Sequence, residues 1–397
     1  MTSVGAVRAN RWSVLAGYAL LAACTQLLWL TYAPITADAH RAMGVSKGAV
    51  GDLAAIFPLV YVVLALPSGR WLDARFTAAL STGAVLTGGG ALLRLAAPDS
   101  YVWAFAGQCM IAAGQPLVLN AITKTAARHF PPAERTTAVS VGSVALFVGV
   151  LAAVLSGGPL HDAGGLTLLL WTQAGLSVVA AAWVLMTARV PPAYAENVSV
   201  APRLDWLKGD RFMWSLAGLL FIGMGVFNAV ATWLESILDH FGRGGAAGYL
   251  IAIMVGAGVI GAAVLPDAVA ARDRRRASLL AAVVVTLVAF AAIAIWPNAG
   301  FVACVLFVEG FFLLAALPVV LDWSELHAGE KRAGAAVGFL LLAGNLGGIV
   351  LVLVVQVLID NPYASLLTLS GFAVAGVAVA TRLPARTEHA QVETTRS

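Results

Sequence analysis

The chain is 397 residues long, 60% hydrophobic and only 11% charged, with a formal net charge of +4. A run of about 20 apolar residues crosses a bilayer as a helix. Such runs fill almost the whole chain, which excludes a soluble catalytic domain. The positive balance does not point to nucleic acid, because it alternates: of the 24 Lys and Arg, all but Arg41, Lys47, Arg94 and Arg243 fall on every second connection or near the termini.

Twelve spans are predicted in two groups of six, at 12–34, 48–69, 77–97, 101–125, 136–158 and 165–187, then at 213–238, 246–267, 277–297, 299–323, 333–358 and 362–382. The expected fold is an all-α membrane protein with twelve transmembrane helices in two pseudo-symmetric six-helix bundles. The bundles are residues 1–188 and 212–383, with a cytoplasmic linker at 189–211 carrying Pro191, Pro192 and Pro202 and a cytoplasmic tail at 384–397. Because Lys and Arg concentrate on cytoplasmic loops, both termini are expected inside a cell (inner) membrane. The first span is too long for the apolar core of a secretory signal and reads as retained.

The halves repeat. The fifth span starts after Ala133-Glu134-Arg135 and continues with Ala138 and Gly142; the eleventh starts after Gly329-Glu330-Lys331 and continues with Gly334 and Gly338. The offset is constant and close to half the chain. Duplicated six-helix halves mark a transporter whose substrate site lies near the midplane between them.

Polar groups at membrane depth are costly and so mark candidate sites. In chain order, span one carries Gln26, Trp29 and Tyr32 at i, i+3 and i+6, near one helical face. The loop after span two carries Asp73 and Arg75. These are either a surface ion pair worth little or a gating latch, which their place at a helix end between two spans favours. Arg94, at the outer end of span three, is expected to snorkel. Span four carries Gln115 and Asn120. In span seven the stretch Gly223-Met224-Gly225-Val226-Phe227 invites a break before Asn228 and Trp233. Glu235 then either lines the outward mouth or reaches water beside Asp239. Glu309 lies well inside span ten. It reads as a cation ligand or proton carrier, or else as a structural carboxyl paired with a neighbouring helix. Asp322 and Glu325, at the inner end of span ten, read as interfacial, with a gate role as the alternative.

Trp29, Glu235 and Glu309 together describe an aromatic, weakly acidic cavity, suited to an organic cation through cation–π contact. Spans 1, 4, 7 and 10 carry no cation at mid-depth, which argues against an anionic substrate. Cys24, Cys109 and Cys304 read as small residues within spans. None of the six His lies at mid-depth, and no paired catalytic groups, metal motif, cofactor motif or ATP-binding loop is read. A membrane enzyme is therefore disfavoured, as is a receptor, which would need a signalling domain. Gradients supply the energy, with protons or another ion as coupling candidates carried by Glu309 and Glu235.

The segment Gly69-Arg70-Trp71-Leu72-Asp73-Ala74-Arg75-Phe76 is similar to the Gly-xxx-Asp-x-Arg signature of the major facilitator superfamily. That resemblance implies a monomer in which spans 1, 4, 7 and 10 line a cavity and spans 2, 5, 8 and 11 form the gates. Nearly the whole chain also resembles the branch of feline leukaemia virus subgroup C receptor-related proteins. The likeness is carried by Trp29 with Tyr32 three residues on, by Gly107-Gln108 with Gln115, and by Lys124. It continues through Glu134 with Thr136, Thr137 and Ala138, Gly310-Phe311-Phe312 with Leu317-Pro318, and Gly334, Gly338 and Asn345. Members of that branch are described as carriers of choline and ethanolamine, and earlier as haem exporters. The resemblance implies that Trp29, Tyr32 and Gln115 face the substrate. It is broken at Asn228, where the family has an aromatic residue, and at Glu309 and Glu235, where it has a leucine and a neutral amide. Two extra acids point to a different or proton-coupled cation, and the Ala, Gly and Val richness to a bacterial member. The reading is a secondary active transporter of a small cationic or amine-bearing (choline-like) solute working by alternating access. The alternative is a proton-coupled exporter of hydrophobic drug-like compounds or a metabolite; the superfamily's antiport signature is only hinted at by Gly157-Gly158-Pro159.

Overall fold

A computed structural model describes residues 2–194, 205–243 and 246–385. All their regular structure is helical: α1 (Thr2–Trp29), α2 (Thr36–Met43), α3 (Lys47–Leu93), α4 (Tyr101–Leu119), α5 (Ile122–His129), α6 (Pro132–Thr187), α7 (Asp205–Gly209), α8 (Arg211–Asp239), α9 (Ala247–Ala271), α10 (Arg275–Ile295), α11 (Ala299–Ala328), α12 (Ala333–Val357) and α13 (Pro362–Ala380). Among the described residues, ten helical segments are long and apolar enough to cross a membrane.

The difference from the expected twelve lies in α3 and α6, each of which runs through two predicted spans. α3 leaves helical geometry at Arg75 (φ −144°, ψ 64°), and α6 does so at Gly164 and Gly165. Unbroken, helices of 47 and 56 residues would run about 70 and 84 Å, against a hydrocarbon thickness of about 30 Å. The breaks let each chain turn without a loop, and Gly165 does so at φ +65°, where a side chain would strain the backbone.

α1 ends where the sequence dictates. Pro34 has no N–H to give, and its ring would meet the carbonyl of Leu30 in a continued helix. The chain instead passes through a 3₁₀ turn at Ala33–Ile35 into α2. Gly44 closes α2 in the left-handed conformation. The Ser46 hydroxyl caps α3 by accepting from the Ala49 N–H at 3.1 Å. Asp210 and Asn361 cap α8 and α13 in the same way.

The chain separates into two compact units. One is Met1–Pro202 with Ala328–Phe339, the other Arg203–His327 with Leu340–Ser397. The first turns of α12 therefore belong with the N-terminal helices. Glycine permits close helix approaches in both units. A Cβ on Gly149 of α6 would strike the Ala23 carbonyl of α1, and one on Gly347 of α12 would strike the Phe221 carbonyl of α8. Small residues let helix backbones meet where apolar side chains gain nothing over lipid.

Candidate functional site

In the first unit, Trp29 closes α1. Its indole N–H donates to the Ala54 carbonyl of α3 at 3.0 Å, and its ring lies 6.5 Å from that of Phe57. One turn back, the Gln26 amide makes a single long contact among the described residues, 3.5 Å to the Thr25 hydroxyl. Gln115 of α4 makes no hydrogen bond among the described residues, yet its amide is not sealed from solvent. Asn120 is fully engaged: it accepts from Tyr61 at 2.5 Å and donates to the Ala65 carbonyl and Ser68 hydroxyl at 2.8 and 2.9 Å.

Tyr32 does not continue the face of Gln26 and Trp29, because the helix has already ended. It is buried among Ile35, Ala39, Val50, Leu53 and Leu169, and its sealed hydroxyl interacts electrostatically with Arg94. Arg94 itself corrects the sequence reading. It does not snorkel but is 0% exposed. Its guanidinium donates to Thr31 Oγ1 at 2.9 Å and, more weakly, to Gln108 Oε1 and Gln173 Oε1, both at 3.5 Å. Oxygens from the turn after α1, from α4 and from α6 draw it inward, which no local pattern announces.

The other end of this unit holds a clamp. Asp73 is buried just before the α3 break. Its two carboxylate oxygens accept from the Gly334 and Ala335 N–H groups, each at 2.9 Å. A carboxylate on the first free N–H groups of a helix is favoured by both hydrogen bonding and the helix dipole. The Lys124 ammonium pairs with Asp73 at 2.9 Å and also reaches the Glu330 carbonyl at 3.3 Å. Arg128 adds a contact to the Glu330 carboxylate at 3.5 Å. Gly69 and Gly334 make the approach possible: a Cβ on Gly334 would lie 2.7 Å from the Gly69 carbonyl and 2.8 Å from Asp73. Arg75 stands exposed at the break itself. The motif carried Asp73 and Gly69. Lys124, Gly334 and Ala335 were visible only as residues, not as its partners.

In the second unit, Glu309 is 0% exposed in α11. One oxygen accepts from the Thr286 hydroxyl of α10 at 2.7 Å, and the other is sealed without a partner. Asn228 donates to the Met224 carbonyl of its own helix at 2.7 Å, and Trp233 donates to the Val352 carbonyl of α12 at 3.0 Å. The side chain of Glu235 lies outside the described residues. Asp322 is buried within the protein, held by Nε and Nη2 of Arg275 at 2.8 Å each. Among the described residues no cluster of His, Cys, Asp and Glu could hold a metal ion.

The profile of the Major Facilitator Superfamily matches residues 14–352. A zebrafish (Danio rerio) protein named solute carrier family 49 member A3 is 33% identical over 275 residues, which is 64% of this chain and 58% of the relative. The chain thus spans little more than half of that relative's length. The protein of the same name from Xenopus tropicalis is 27% identical over 389 residues, 90% of this chain and 79% of its own. These names agree with the expected resemblance to the feline leukaemia virus subgroup C receptor-related branch. Two solved structures share the fold. A bacterial homologue of the iron transporter ferroportin, in an outward-facing state, has a TM-score of 0.75 at 15% identity, covering 94% of this chain and 98% of its own. The human organic anion transporter MFSD10 has a TM-score of 0.73 at 14% identity, covering 93% and 99%. Profile, relatives and fold agree: this multi-pass membrane protein belongs to the major facilitator superfamily of transporters.

Proposed function

We propose that the protein is a secondary active transporter that moves a small amine-bearing or quaternary ammonium solute by alternating access. The observation that carries this reading is the clamp of Asp73 and Lys124 on the first turn of α12. It joins helices through charge and backbone hydrogen bonds. Such a contact forms and breaks as a unit, as a gate must.

The proposal counts α3 and α6 as two spans each, giving twelve. It puts both termini in the cytoplasm of a bacterial inner membrane, with the protein acting as a monomer. Trp29, Gln26 and Gln115 are the solute-binding candidates of the first unit; Asn228 and Trp233 are those of the second. Trp29 offers a ring face to a cation, and Gln115 offers an amide with no protein partner to satisfy. Tyr32 supports the site from behind. Glu309 carries the coupling proton, with Glu235 as a second acidic group. A second reading, a proton-coupled exporter of hydrophobic compounds, uses the same sealed Glu309 carboxyl and differs in the solute and in the direction of transport.

The test is the thermal stability of the purified protein with quaternary ammoniums, primary amines, carboxylates and hydrophobic drugs, repeated in Trp29→Ala and Gln115→Ala. Ammonium compounds should raise the midpoint in the wild type and not in the variants. Stabilisation by drugs alone would select the exporter. Stabilisation by carboxylates alone would overturn both readings of the solute.

A further inference from the structure

We propose that Arg94 binds a small monovalent anion, of the size of chloride or formate, inside the first unit, with Tyr32 and Gln173 as its other donors. This goes beyond the transport reading and does not depend on it.

A guanidinium stays charged at any depth. Every group that holds Arg94 is neutral, and two of the three contacts are at 3.5 Å. Among the described residues no carboxylate pairs with it. Two nitrogens of this cluster, Arg94 Nε and Gln173 Nε2, are sealed from solvent without a partner, and the sealed Tyr32 hydroxyl interacts with the Arg94 guanidinium but has no acceptor for its own hydrogen. All three bear hydrogens to donate. The Gln173 amide is oriented by its other end, since Gln173 Oε1 accepts from Thr31 at 2.6 Å as well as from Arg94. The cluster therefore holds one positive charge and a surplus of donors, and what it lacks is an acceptor with negative charge.

The same chain shows what that edge of an arginine takes. In Arg275, Nε and Nη2 both meet one carboxylate oxygen of Asp322 at 2.8 Å. In Arg94 the same two atoms have no acceptor at Nε and one contact of 3.5 Å at Nη2. A water molecule accepts from two donors and brings no charge. A monatomic anion or a small carboxylate supplies both an acceptor for these donors and the charge that neutralises the guanidinium. Arg94 opens the 3₁₀ turn Arg94–Ala96, and Ala96 and Asp99 are exposed.

The experiment is thermal unfolding of the purified full chain in sodium gluconate, replaced stepwise by sodium chloride, bromide or formate at constant ionic strength. The midpoint should rise with the logarithm of the small anion's concentration, as linkage requires. Halides acting alone would identify the ligand as inorganic, and formate acting alone would identify it as the carboxylate of an organic acid. Tyr32→Phe removes one hydrogen bond to a charged group and should need about tenfold more anion for the same shift. Arg94→Gln should abolish the response. Equal midpoints in all four salts for the wild type would overturn the proposal. So would a response that survives unchanged in Tyr32→Phe, which keeps the test decisive even if Arg94→Gln does not fold.

Discussion

Asp73→Asn should loosen the start of α12 without unfolding the bundle. The asparagine keeps one oxygen for Gly334 or Ala335, loses the second acceptor, and removes the charge that pairs with Lys124. A hydrogen bond to a charged group contributes about 1.5–3 kcal/mol. Lys124 is 1% exposed, and breaking a buried ion pair costs about 3–5 kcal/mol. The Asp73 and Glu330 carbonyls, both 3.3 Å from the ammonium, remain as acceptors and reduce that second figure. The net is about 3 kcal/mol, or about a hundredfold in the equilibrium between clamped and released α12. Hydrogen exchange followed by mass spectrometry reads this on peptides covering residues 328–339. Their protection should fall by about that factor, while α10 and α13 stay protected. Asp73→Asn combined with Lys124→Met should lose less than Asp73→Asn alone, because no unpaired ammonium is left behind. Unchanged exchange at 328–339, or an equal loss over the whole chain, would refute the clamp.

Burial, and after it the charge of Arg128, holds the His129 imidazole down to about 4. The folded protein then binds fewer protons than the unfolded chain, so the stabilisation is whole above pH ~6.5 and is lost as the pH falls through 4, about 3 kcal/mol in all. Acid unfolding midpoints should shift accordingly, and His129→Gln should flatten the profile. Arg275→Met removes a two-nitrogen contact from the buried Asp322 and should cost about 3 kcal/mol, with Arg275→Met/Asp322→Leu recovering much of it in a thermal melt. Glu309→Gln keeps an acceptor for Thr286 and should change stability by less than about 1 kcal/mol. In proteoliposomes it should abolish proton-driven accumulation while leaving solute exchange intact; accumulation at the wild-type level would make Glu309 purely structural.

Hydropathy is a local property, so the helices could be read along the chain, and each predicted span falls largely within a helix. The pattern could not tell a loop from a break. Arg70 to Arg75 and Gly157 to Gly165 interrupt the apolar runs, yet the chain turns there within one helical path. Helical spacing failed at Tyr32 for a reason the sequence did contain, since Pro34 stops the helix that the spacing assumed. Asp73 was legible through its motif. Its partners at Gly334 and Ala335 lie more than 200 residues on, and only the fold brings a helix N-terminus to that carboxylate.

Arg94 shows how such long-range contacts alter a functional reading. Counting cations span by span left the cavity helices without one and favoured a cationic solute. The guanidinium starts on the third predicted span, but it ends against Thr31 beyond α1, Gln108 on α4 and Gln173 on α6. Its charge therefore belongs to the bundle that also carries Trp29. A buried charge in low dielectric is felt over a longer range than an exposed one. If a small anion neutralises Arg94, the first unit presents the solute with rings and amides and no net charge, and an ammonium solute is favoured. If nothing does, the first unit carries a net positive charge behind Tyr32, and the solute it suits is neutral or anionic. The anion titration therefore bears on the charge of the solute before any solute is known.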